Sequence, residues 1–103
     1  MTSTYQVLRD RSPERQNSQN TSLEILRGTH LRSALHSQLV AGATRYSQAE
    51  TDRQAVEELV DLVELVHALL PAHNMTYEEL EMVRRRKKNE QGSFTEGHAI
   101  VQV

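Results

Sequence analysis

The 103 residues contain no cysteine. That removes disulfide scaffolds, thiolate zinc sites and cysteine nucleophiles. Tryptophan is absent too, and aromatic residues make up only 4%, too few for a base-stacking nucleic-acid platform. No apolar run approaches the ~18 residues of a membrane-spanning helix. The stretch MTSTYQVLRDRSPERQ has no apolar core behind its charges, so no secretory signal is expected there. Neither sign of charge dominates: 12 Lys+Arg face 14 Asp+Glu, for a net charge of −2. Such a balance asks for neither nucleic acid nor an anionic membrane. The expectation is a soluble, cytoplasmic, single-domain protein with no membrane partner. Hydrophobic residues are also scarce. They form 37% of the chain, below the usual ~45–50% even with glycine added. A chain of this length buries only about two-thirds of its unfolded surface. A polar segment outside the core, helix pairing between subunits, or both, should account for the shortfall.

Residues 1–22 are polar and broken, and a helical domain is expected over 23–103. YQVL reads as a short strand, Ser12-Pro13 bars a helix just before the proline, and QNSQNTS is turn material. Leu31, Leu35 and Leu39 then recur at helical spacing, which predicts a first helix over about 30–47 with Thr29 as its N-cap. Gly42 either weakens that helix or lets a second one approach closely. The second helix, 52–70, opens on a Thr51/Gln54 capping box and is closed by Pro71. Its apolar set, from Val56 to Leu70, covers more than half of the helical circumference. The third helix, 77–91, opens on a Thr76/Glu79 capping box, turns Tyr77, Leu80 and Val83 inward, and ends before Gly92. SFTEGHAIVQV finishes in a β-like alternation that suits an edge strand or a draped tail. The fold class is therefore all-α: an antiparallel helical bundle with extended N- and C-terminal segments. The breadth of the apolar arc on 52–70 predicts a homo-oligomer, a dimer or tetramer.

EELVDLVELVH on the second helix is the stretch with chemistry in it. Glu57, Asp61 and Glu64 share a stripe, and for Glu57 and Glu64 a solvated face is the natural reading. Glu58 instead neighbours Leu62, Leu65 and Leu69 on the helical wheel, so it points into the apolar arc. A carboxylate there needs a cation, an Arg or Lys, or an opening to water. Asp61 follows three residues later. Carboxylates at i and i+3 can jointly hold a hard divalent cation such as Mg²⁺. An internal ion pair is the simpler alternative.

Taken in order, L-R-D-R-x-P, a helix, E-E-L-x-D-x-x-E, a capped T-Y-E-E-L helix and K-x-x-x-Q-G-S-F with an apolar finish resemble the MazG-like, all-α nucleotide pyrophosphohydrolases. The branch in question is similar to phosphoribosyl-ATP pyrophosphatase. Leu8, Arg9, Asp10, Arg11 and Pro13 stand in the place of a V-R-D-K-x-P element. Glu57, Glu58, Leu59 and Asp61 match an E-E-L-x-D metal half-site. Lys87, Gly92, Ser93, Phe94 and Ile100 match K-x-x-R-G-G-F and the apolar residue after it. The resemblance implies Mg²⁺-dependent hydrolysis of a nucleoside triphosphate to monophosphate and pyrophosphate. Glu58 and Asp61, helped by Glu57 and Glu64, would hold the metal. Lys87, and with it Arg84, would contact phosphate.

One departure bears on activity. Family members carry K-L-x-E-E-x-x-E on the first helix, and the register counted from Asp61 puts Gln38, Ala41 and Gly42 where its lysine and paired glutamates belong. Residues 31–49 contain no Asp or Glu at all. A two-metal clamp would then need acids from another subunit. Impaired or lost catalysis is therefore expected, with a nucleotide-binding or assembly role retained. The alternative is an active pyrophosphohydrolase with a reduced Mg²⁺ site. The remaining features are weaker. His30, His36, His67, His73 and His98 have no zinc spacing, and no phosphate-binding G-x-x-x-x-G-K-S/T loop is present. The run Arg84–Lys88 suits a helix C-terminus in water, and nucleic acid as its partner is disfavoured by the net charge.

Overall fold

A computed structural model describes residues 6–12 and 23–102. The expectations placed on Tyr5, Pro13, QNSQNTS and Val103 lie outside the described residues. Among the described residues the order is α1 (Gly28–Gln48), α2 (Asp52–Leu69), a 3-10 turn (Leu70–His73) and α3 (Tyr77–Gln91), with no strand. The all-helical class holds. No short strand forms at residues 6–8, and of the two readings of the C-terminal tail the edge strand is not formed among these residues. The tail after Gly92 runs without a partner ladder, leaving Ile100 and Val101 exposed.

The start of α1 differs from the sequence expectation. Arg27, not Thr29, is the N-cap, and it supplies no side-chain bond. Gly28 opens the helix at φ +57, a left-handed conformation that glycine adopts without a Cβ penalty. Once the chain turns there, Thr29 is already inside the helix. From that point Leu31, Ala34, Leu35, Gln38, Leu39 and Gly42 are buried or half-buried, a stripe at the 3.6-residue period.

α2 follows after a short turn. The Thr51 hydroxyl accepts from the Gln54 amide at 3.1 Å. The reciprocal bond of the expected capping box has moved one residue upstream: the Gln54 side chain accepts from the Glu50 amide at 3.0 Å. Pro71 ends the regular helix as expected, and the chain tightens into the 3-10 turn rather than breaking at once. On α2 the half-buried positions Ala55, Glu58, Leu62, Leu65 and Leu69 face α1. Gly42 is the point of close approach. A Cβ built there would lie 3.0 Å from Leu62 Cδ2, so of the two readings of Gly42 the close-approach one applies.

α3 carries the full reciprocal capping box. The Glu79 amide donates to the Thr76 hydroxyl at 3.1 Å, and the Thr76 amide donates to the Glu79 carboxylate at 3.0 Å. Gly92 closes the helix at φ +78, its amide donating to Lys88 O. Of the intended inner side, Leu80 is half-buried, while Tyr77 and Val83 are exposed.

The packed unit is the α1–α2 pair, and the apolar side chains buried in it are few. Among the described residues only Leu35 and Leu70 qualify. The far side of α2, opposite α1, is open: Val56, Leu59, Val60, Val63 and Val66 are all exposed. The broad apolar arc read from the sequence is thus two faces, one against α1 and one left exposed among the described residues.

Candidate functional site

Glu58 leaves α2 toward α1, as its place on the wheel predicts, and its side chain is only 22% exposed. The group that meets it is Arg45 from α1, whose Nε donates to Glu58 Oε2 at 3.2 Å. Asp61, one turn along α2, is half-exposed and receives Arg9 Nη2 at 2.5 Å. The hydrogen bond to Asp61 and its negative charge raise the pKa of Arg9 above that of a free guanidinium. Arg9 therefore stays charged at any working pH.

Arg9 is brought there by a second contact. The Gln38 side chain on α1 grips the main chain of Val7 from both sides. Its Oε1 accepts from the Val7 amide at 2.5 Å, and its Nε2 donates to the Val7 carbonyl at 3.2 Å. An amide side chain is suited to this, since it carries one acceptor and two donors. Residues 7–9 are thereby held across the α1–α2 pair, and Val7 and Leu8 are half-buried.

Glu58 and Asp61, three residues apart on α2, are thus matched one to one with guanidiniums, in two separate pairs. The bonds are charge-assisted, and each carboxylate has a fixed partner. Among the described residues no group of three or more His, Cys, Asp or Glu side chains converges as a metal-holding cluster.

The other expected site residues lie apart from these two pairs. Glu57 is solvated beside Arg53 at 3.7 Å, and Glu64 is solvated beside His67 Nδ1 at 3.8 Å, as the stripe on the wheel suggests. His36 is exposed. Arg84 folds back on Glu81 of its own helix, and that bond holds the Glu81 carboxyl below the usual carboxylate range. Lys87 is exposed on α3. Neither basic residue joins Glu58 and Asp61 in one cluster.

The sequence alone did not single out Arg45 or Arg9 as partners of the carboxylates, or Gln38 as the contact of Val7. A signal was available for two of them. Gln38 and Arg45 lie four residues before and three after Gly42, so they share the α1 face that Gly42 turns to α2. Comparison of the chain with models of known families, with curated proteins and with solved structures finds no match.

Proposed function

We propose that this chain is a non-hydrolysing MazG-like helical protein, cytoplasmic and antiparallel in its bundle, in which a nucleotide-binding or assembly role stands where active relatives split NTP. The observation that carries the reading is the Arg45–Glu58 pair. In the family pattern K-L-x-E-E-x-x-E, with Gln38 at the lysine and Ala41 and Gly42 at the paired glutamates, the last acid falls on Arg45. A cationic side chain thus sits where a metal-binding carboxylate is expected. It bonds the carboxylate that would have shared the metal.

The donor set does not suit Mg²⁺. That ion takes near-octahedral oxygen ligands and keeps several waters, so it needs carboxylates free to turn toward it. Glu58 and Asp61 are each held by a guanidinium. A cation binding either carboxylate would have to displace its guanidinium or lie beside it, and like charges repel. The space for a longer side chain at position 42 is also taken by Leu62. Losing one electrostatic group in a catalytic site costs ~3–4 kcal/mol of transition-state stabilisation, and here the acids of a whole half-site are replaced.

The test is pyrophosphate release from a panel of nucleoside triphosphates with Mg²⁺ or Mn²⁺. Release should not exceed the protein-free control. Turnover that disappears in Glu58→Gln and Asp61→Asn would overturn the reading. In the same samples, thermal stabilisation by NTP points to binding without hydrolysis, and its absence points to assembly.

A further inference from the structure

Residues 7–9 cross the α1–α2 pair as a short strap, and the seat under them is built from unlike parts. On α1, the Gln38 side chain takes both the amide and the carbonyl of Val7, at 2.5 Å and 3.2 Å. On α2, Asp61 takes the Arg9 guanidinium at 2.5 Å. Val7 and Leu8 are half-buried. The segment ends in a turn, the Ser12 amide donating to the Arg9 carbonyl at 3.1 Å. The lengths agree. Two residues of extended chain reach about 7 Å, and packed helix axes lie roughly 8–10 Å apart, so three residues suffice to touch both helices.

We propose that this seat is a recognition site for an extended segment of another polypeptide with the sequence apolar-apolar-arginine, and that residues 7–9 are its resident competitor. Three observations select that partner. The first is the grip of Gln38. It bonds main-chain atoms only, as a sheet edge does when it takes up an added strand. It therefore fixes an extended backbone without reading the Val7 side chain.

The second is charge. Asp61 raises the Arg9 pKa through its hydrogen bond, and Glu64 on the same helix adds to that effect. Two acids thus favour a cation at the third position and repel an acidic residue there. The third is exchangeability. The Arg9 and Asp61 side chains are 56% and 50% exposed, and water competes well for such a pair. The segment is held, but not enclosed. The seat uses neither nucleotide nor metal, so the inference is independent of the catalytic reading.

The test is an NMR titration of the isotope-labelled full chain with a capped peptide of the sequence Gln6–Ser12, followed at the Gln38 side-chain amide. The strap is opened by Arg9→Ala together with Val7→Pro, which removes the amide that donates to Gln38. Both positions lie outside the helices, so helicity should not change. A tethered segment competes at an effective concentration in the millimolar range, so the opened chain should bind the peptide about tenfold more tightly than the wild-type chain. Arg9→Ala alone should shift affinity in the same direction by less. Asp61→Lys in the opened chain should weaken binding about tenfold or more. A peptide carrying Arg9→Ala should bind about threefold to fivefold more weakly. No saturable shift at Gln38 up to millimolar peptide overturns the proposal. So does equal affinity for the wild-type and opened chains, or binding indifferent to Asp61→Lys and to the altered peptide. If unlabelled wild-type chain moves the Gln38 signal as the peptide does, the segment of a second copy is the occupant, and a separate partner is overturned.

Discussion

At the scale of single residues, the Arg45–Glu58 pair should matter more than Arg9–Asp61, because Glu58 is the less exposed carboxylate. Arg45→Ala leaves it facing α1 without a partner. The expected loss is about 1 kcal/mol, the upper end for a partly exposed pair, read as a fall in Tm of ~4–8 °C for a chain of this size. Arg45→Ala with Glu58→Gln should lose less than Arg45→Ala alone, since the stranded charge is then gone. Additive losses in that cycle would contradict a direct pair. Gly42 gives a second check. Alanine gains about 1 kcal/mol of helix propensity but pushes on Leu62 Cδ2, so Gly42→Ala should be close to neutral. Gly42→Leu should cost ~1–3 kcal/mol by overpacking, and a neutral leucine would show the helices are not in contact there. The sequence made Glu58 legible because wheel position alone turned it inward. It left its partner open between metal and arginine, since the choice depends on a residue 13 positions away whose rotamer no periodicity encodes.

At the scale of elements, the helices were legible where capping chemistry is local and explicit. Thr76 and Glu79 set the start of α3 to the residue. Thr51 set the start of α2, although its Gln54 turned to Glu50 instead. The entry to α1 was misplaced because Gly28 starts the helix by adopting φ +57, and a threonine beside a glycine mimics a cap. The strand reading of the termini, given for the tail beside an unpaired alternative, fails for another reason. Alternation marks a strand only where a neighbouring strand takes up its hydrogen bonds, and none is offered among the described residues.

α3 packs little on the rest of the chain, so it depends on its own ends. Thr76→Ala should cost about 1 kcal/mol of helix stability, and amide hydrogen exchange over 77–91 should quicken while that of α1 does not. Equal quickening of both helices would show that α3 is part of the same cooperative unit. Acid should act at the same place. Hydrogen bonding to Thr76 lowers the Glu79 pKa, and Arg84 lowers that of Glu81. A lowered folded-state pKa means stability that is present above the ordinary glutamate range and lost as pH falls through the lowered value. Helicity should therefore hold at pH 5–6 and decline below about pH 4. A decline centred near neutrality would implicate histidines instead.

At the scale of the whole molecule, α2 is used from two sides. Its inner side joins α1 through apolar contacts and one ion pair, and its outer side is apolar and open. The low hydrophobic content read from the sequence matches a chain with two buried apolar side chains among its described residues. No described helix is long and apolar enough to cross a membrane, so a bilayer-spanning role for the outer face is not indicated. Concentration should matter to stability: if pairing supplies the missing burial, Tm should rise as the protein is concentrated. A Tm constant over a hundredfold range would mean the single chain is already complete. The closed state of the inner side is tested most directly by Mn²⁺, which broadens amide resonances near any site it occupies. If Arg45 and Arg9 neutralise Glu58 and Asp61, titration into the millimolar range should leave residues 57–62 no more broadened than other exposed acidic stretches. Saturable broadening centred on those residues at micromolar Mn²⁺ would show that a metal displaces the arginines, and the chain would have to be read as a metal-dependent protein.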